Sequence, residues 1–255
     1  MKNGSLENSS SSLVLGDFST HASKTMMLSE LSLLLETVSA DGSPEDYRSA
    51  VLDENVLLKK SDSTRQKSLR HLRELYVLDG QDLLFALLRN LYDHDPPSLP
   101  LLTLLTAVIR DKLLRSTVHL VLETPAGTPL SAPSFSEAVA ETFPDRLTPI
   151  TLESVGQRTA SSWTQSGHLK GRVNKVRARA MASVGAVVYA LLLGHLSGVR
   201  GLPLYETLWA RLLDTPPNEI DALAFAASQR GLLEYRRMGD VAEFGFSKLL
   251  GGDRG

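Results

Sequence analysis

The amino-acid sequence predicts a mainly α fold: a helical bundle with helix-turn-helix-like and winged-helix-like N- and C-terminal parts and one short terminal β-hairpin. Apolar residues recur at helical spacing through most of the 255 residues. Helix starts and stops are punctuated by Ser and Asp caps, prolines at first positions and closing glycines. Only the last fifth offers two extended runs around a glycine turn, 232–237 and 241–246. The composition, 42% hydrophobic and 22% charged with a net charge of -2, is that of an ordinary globular chain. It contains no cysteine, which excludes a disulfide, a thiolate nucleophile and a cysteine zinc site.

The serine-rich beginning reads as a disordered tail over 1–22, without the apolar block of a secretory signal, so a cytoplasmic protein is expected. A helix over 24–39 carries Met27, Leu28, Leu31, Leu34 and Leu35 on one face. Ser43 caps a second, with Pro44 at its first position and Glu45 and Asp46 where the helix dipole favours negative charge. A third starts at Ser61 to Thr64 and runs through Leu78, with Leu69, Leu72, Leu75 and Tyr76 as its apolar stripe. Three short helices with a basic last one match a helix-turn-helix unit. Further helices follow over 81–92 and from Pro100 through Leu113, which 116–123 continues after a bend, then over 134–142, 202–213 and 219–229, while 152–165 leads into the basic stretch. The organisation expected is a tail over 1–22, an N-terminal helical domain over 23–145 and a basic, winged-helix-like domain over 146–255.

Charge points to a partner. Between Glu153 and Glu206 lie 52 residues without an acidic side chain, carrying seven Lys and Arg. Read as a helix over 170–193, this stretch places Val173, Val176, Ala180, Val184, Val187 and Leu191 on one stripe, beside a face formed by Arg172, Lys175 and Arg179. The windows 59–73 and 154–205 together hold 13 of the 27 Lys and Arg residues but only one of the 29 acidic ones. Such segregation is the electrostatic footprint of a nucleic-acid-binding surface. The candidate contacts in the first window are Lys59, Lys60, Ser63, Thr64, Arg65, Gln66, Lys67, Arg70 and Arg73. Those in the second are Arg158, Thr164, Gln165, His168, Lys170, Arg172, Lys175, Arg177 and Arg179, and the terminal hairpin adds Arg236 and Arg237. Cations and short hydroxyl or amide side chains suit phosphate oxygens.

The run SPEDYRSAVLDENVLLKKSDSTRQKSLRHLREL, from Ser43 to Leu75, resembles the N-terminal signature of the BrxA family, small helical proteins of BREX phage-defence islands. Glu54 and Asn55 stand where that family has an acidic-Asn pair, and the basic stretch and the final GLLEYRRMGDVAEF follow in the family's order. The resemblance implies an all-helical protein with likeness to the antitermination factor NusB and to winged-helix domains. It also implies DNA binding, other BREX proteins as partners, and neither enzymatic activity nor a cofactor. The serine-rich beginning and the glycine-containing 180–199 segment depart from the family pattern.

Other readings stay open at this stage. The 180–199 segment bears no formal charge with His195 neutral and is long enough for a bilayer, but its glycines and His195 favour a buried helix. Asp93, His94 and Asp95 offer metal-ligand chemistry, yet adjacent side chains before Pro96 point apart. Neither a phosphate-binding loop, a dinucleotide glycine fingerprint nor a metalloprotease histidine spacing is present, so no catalytic residue is expected. RNA is the alternative ligand, and protein–protein assembly the alternative role.

Overall fold

The computed structural model describes residues 13–250. Helices α1 (Leu28–Thr37), α2 (Pro44–Leu52), α3 (Asp62–Tyr76) and α4 (Leu83–His94) come first. After a 3-10 turn, Pro96–Ser98, follow α5 (Leu99–Arg110), α6 (Lys112–Arg115), α7 (Val118–Glu123), α8 (Ala132–Thr142) and α9 (Pro149–Gln165). A two-stranded antiparallel sheet, β1 (Leu169–Lys170) with β2 (Val176–Arg177), precedes α10 (Val184–Leu196). The chain closes with α11 (Leu208–Arg211), α12 (Pro217–Gln229) and the antiparallel hairpin of β3 (Glu234–Met238) and β4 (Val241–Gly245). The mainly α class and the terminal hairpin are as expected, and β1–β2 is an addition.

Local chemistry explains the boundaries. At α2 the capping box is complete: Asp46 N–H donates to Ser43 Oγ, and the Ser43 N–H donates to the Asp46 carboxylate at 2.7 Å. Helix α3 stops at Tyr76, earlier than Leu78, because Val77 and Leu78 both take positive φ, 63° and 60°. The helix expected from Pro100 through Leu113 breaks at Asp111. The carboxylate of Asp111 caps α6 by accepting from the Leu113 and Leu114 N–H groups, at 2.8 and 2.9 Å.

Two helices form the centre. In α5 every residue from Leu101 to Ile109 is buried, and in α10 every residue from Val184 to Gly194. Each buried Leu or Val there stabilises the fold by roughly 1.5–3 kcal/mol relative to exposure. Helices α4, α11 and α12 pack on α10, while α1, α3 and α9 pack on α5. The two centres are tied by Tyr189 and Thr106, whose hydroxyls are 2.9 Å apart. One apolar cluster runs from Met26 to Phe246 and crosses the boundary expected near residue 145.

Three expectations are corrected. Residues 13–22 of the predicted tail are ordered: Gly16 N–H donates to Ile109 O, Phe18 N–H to Arg110 O, and 20–22 form a 3-10 turn. Residues 1–12 lie outside the described residues. The helix over 170–193 is absent from its basic half, where Gly171 and the β-branched Val173 and Val176 favour a turn and a strand. What remains of the 180–199 segment is the 13-residue α10, about 20 Å long, and no described helix is long and apolar enough to cross a membrane. The helix expected over 202–213 is a 3-10 turn, Leu202–Glu206, followed by α11.

Candidate nucleic-acid interface

The basic stretch is a hairpin pinned at its base. In β1–β2, Leu169 pairs with Arg177 and Lys170 with Val176. The loop after α7 adds a second edge: Gly127 N–H donates to Arg177 O, Arg177 N–H to Thr128 O and Leu130 N–H to Lys175 O, all within 2.9 Å. At the turn Gly171 has φ +100°, and a Cβ there would stand 2.2 Å from Asn174 O, so the position demands glycine.

The hairpin divides its cations between inside and outside. Arg177, 5% exposed, donates to both Asp214 carboxylate oxygens at 2.7 and 3.0 Å and to Val121 O at 2.8 Å. It is a clasp between the hairpin and the turn after α11, not a phosphate contact. Lys175 is half-buried, and Nζ donates to Thr164 Oγ1 and Gly171 O. Partial burial lowers its pKa. Lys170, Arg172 and Arg179 are exposed and have no ion-pair partner among the described residues.

Several other expected contacts are structural. His168 is buried, with Nδ1 2.9 Å from Ser166 Oγ and Nε2 3.0 Å from Leu212 O. Burial lowers its pKa to about 4, against the attraction of Asp214, so the ring is neutral near pH 7. Gln165 Oε1 accepts from the Leu28 N–H, Arg158 donates to Ala22 O, and Thr164 Oγ1 donates to Ala160 O. The first two join α9 to the first turns of the described chain, and the third closes within α9 itself.

The α3 window is similarly thinned. Lys59 pairs with Glu30 at 2.9 Å, Arg65 pairs with Asp62 and donates to Leu52 O, and Arg73 donates to Pro44 O. Arg70 lies 3.6 Å from Glu74, but its side chain keeps 64% exposure. Thr64 is half-buried with its hydroxyl on Ser61. Lys60, Ser63, Gln66 and Lys67 are exposed, and the two lysines form no ion pair among the described residues. In the terminal hairpin Arg237 pairs with Asp221, whereas Arg236 is exposed across from Glu243. The two windows approach each other through α1: Lys59 meets its first turn at Glu30, and Gln165 meets Leu28.

Two arrangements lie outside the sequence reading. Ser162 Oγ is 2.9 Å from His21 Nε2, and His21 Nδ1 is 3.2 Å from the Asp111 carboxylate, the order of a hydrolytic relay. All three residues are fully buried, and Ser162 Oγ also accepts the Met26 N–H and donates to Arg158 O. The network therefore clamps the chain's beginning to α9 and α6. Residues at 21, 111 and 162 share no motif, so nothing in the sequence announces it. The second arrangement is a cleft between Phe18 and α3. The Asp93, His94 and Asp95 cluster is dispersed: Asp93 meets Arg89, His94 meets Asn90 O, and Asp95 accepts the Gly185 N–H at 2.7 Å.

No protein-family model matches the chain, and a search of curated proteins returns no significant relative.

Proposed function

We propose that this chain binds duplex DNA without catalysis, docking on phosphates through the 169–179 hairpin and the outer face of α3, as a BrxA-like component of a BREX phage-defence system. The observation that supports the docking is a set of exposed cations in the two windows with neither an ion-pair partner nor a side-chain hydrogen bond among the described residues: Lys60, Lys67, Lys170, Arg172 and Arg179. A cation already balanced by a carboxylate gains little from a phosphate, whereas a hydrated unpaired one releases a counterion from DNA. The BREX role rests on the motif order from Ser43 to the terminal hairpin. The free cations are fewer than the windows hold, so the phosphate contacts number about five and the log–log salt slope is about -4.5. Base edges are left to Gln66 and Arg70, and binding is largely sequence-tolerant.

The test is a salt titration on a fluorescent duplex, comparing the wild type with Lys170→Ala/Arg172→Ala/Arg179→Ala. The variant removes only exposed side chains, so it stays folded, and its slope becomes shallower by about 3. Competition with single-stranded RNA decides the alternative ligand. An isolated chain that binds no nucleic acid at low salt overturns the proposal and leaves the protein-assembly role.

A further inference from the structure

A cleft of about 410 Å³ opens between the face of α3 and the ordered beginning of the chain. That is within the size of small-ligand pockets, about 300–1,000 Å³. Its floor is apolar: Leu69 is 5% exposed, Leu52 is half-buried, and the ring of Phe18 stands at one wall with 44% exposure. Phe18 is held by its backbone, which donates to Arg110 O and accepts from Lys112 N–H, so the ring is presented from a fixed point. Gln66, Arg70 and Arg73 follow Leu69's face of α3 and form the rim. Gln66 makes no hydrogen bond among the described residues, and Arg73 is exposed with no carboxylate partner among them, donating only to Pro44 O, so an amide and a guanidinium remain available. Glu74, the acid among the described residues lining the cleft, is engaged by the Thr20 hydroxyl, by His71 and, at 3.6 Å, by Arg70.

We propose that this cleft seats one unpaired nucleobase of a nucleic-acid strand, stacked on Phe18, with Gln66 at its polar edge and Arg73 on a flanking phosphate. A flat aromatic ligand with an adjoining anion is the chemistry the site complements: an apolar slot with an amide and a guanidinium free of a carboxylate on the rim formed by one helix face. Duplex DNA keeps its bases stacked within, so the cleft adds affinity only for a single strand or an extruded base. The inference rests on the nucleic-acid reading above and adds a second mode to it.

The experiment measures binding of the full chain to a duplex, to a single-stranded DNA and to an RNA of the same sequence at low salt, for wild type, Phe18→Ala and Phe18→Trp. Loss of one stacking contact weakens single-strand binding by about 5- to 150-fold in Phe18→Ala. Phe18→Trp retains it, and both variants bind the duplex as the wild type does. The DNA and RNA arms tell which strand the cleft accepts. Photocrosslinking of wild type to a 5-iodouracil-substituted strand, with the adduct mapped to Phe18 or to 66–73, reads the same contact without a variant. Duplex binding with unchanged single-strand affinity in Phe18→Ala, or an adduct confined to 169–181, overturns the cleft proposal and leaves the duplex reading standing. A wild type that binds none of the three overturns both.

Discussion

Arg177 and Arg172 share one hairpin and have opposite roles. Arg177→Ala strands Asp214 beside a buried hairpin base, and removing one partner of such a pair costs about 3–5 kcal/mol, readable by urea denaturation. Arg172→Ala changes stability by less than about 0.5 kcal/mol, since its side chain touches solvent. Any loss of nucleic-acid binding in Arg177→Ala therefore reports on folding, and in Arg172→Ala on contact. His168 carries a pH signature. Its folded pKa of about 4 lies below the ordinary 6.5, so the unfolded chain binds the extra proton first as pH falls. Stability from this residue is intact above about 6.5 and is lost progressively down to about 4. Asp214 and Arg177 face the ring with opposite signs and partly cancel. A His168→Asn variant, although less stable at pH 7, shows a flatter denaturation midpoint over that window; an equal slope in both proteins refutes the assignment.

At the scale of elements, the hairpin depends on its turn. Gly171→Ala places a Cβ against the Asn174 carbonyl at a φ that L residues rarely adopt, a strain of roughly 1–3 kcal/mol. The predicted result is faster amide exchange at Arg177, whose N–H is held by Thr128 O, with protection in α10 unchanged. Asp95 makes the complementary case for a buried helix start. Its carboxylate satisfies the Gly185 N–H of α10, so Asp95→Ala leaves that donor buried and unpaired at a cost of about 1–3 kcal/mol. Gly185 permits the approach, because a Cβ there would stand 2.9 Å from Ser98 Oγ. Helical elements were legible where the signal is local: Ser43 caps α2 with Pro44 at its first position, and Ser61 caps α3, where the sequence marks both starts. The basic hairpin was not legible as a strand. Val173, Val176 and Ala180 satisfy a helical stripe, and the pairing with 127–130 that decides otherwise comes from a loop more than forty residues away.

For the whole molecule, the continuous core from Met26 to Phe246 predicts one cooperative transition. Calorimetric and van't Hoff enthalpies should agree, whereas separate folding of 23–145 and 146–255 would give two transitions or a van't Hoff value well below the calorimetric one. The same tertiary packing rewrites the electrostatics. A window count of 13 cations describes composition, but Lys59, Arg65 and Arg177 are neutralised by Glu30, Asp62 and Asp214, two of them distant in sequence. Affinity should follow the unpaired set alone.

By itself the sequence determined the helical class, most helix starts, the terminal hairpin and the segregation of charge, because caps, periodicity and composition act within a few residues. Tertiary structure decided which cations face solvent, that 169–177 is a sheet, that the chain's beginning is clamped by Ser162, His21 and Asp111, and that Phe18 opens a cleft on α3. Each of those depends on burial and hydrogen bonds between residues tens of positions apart, and local pattern carries no term for which partners meet.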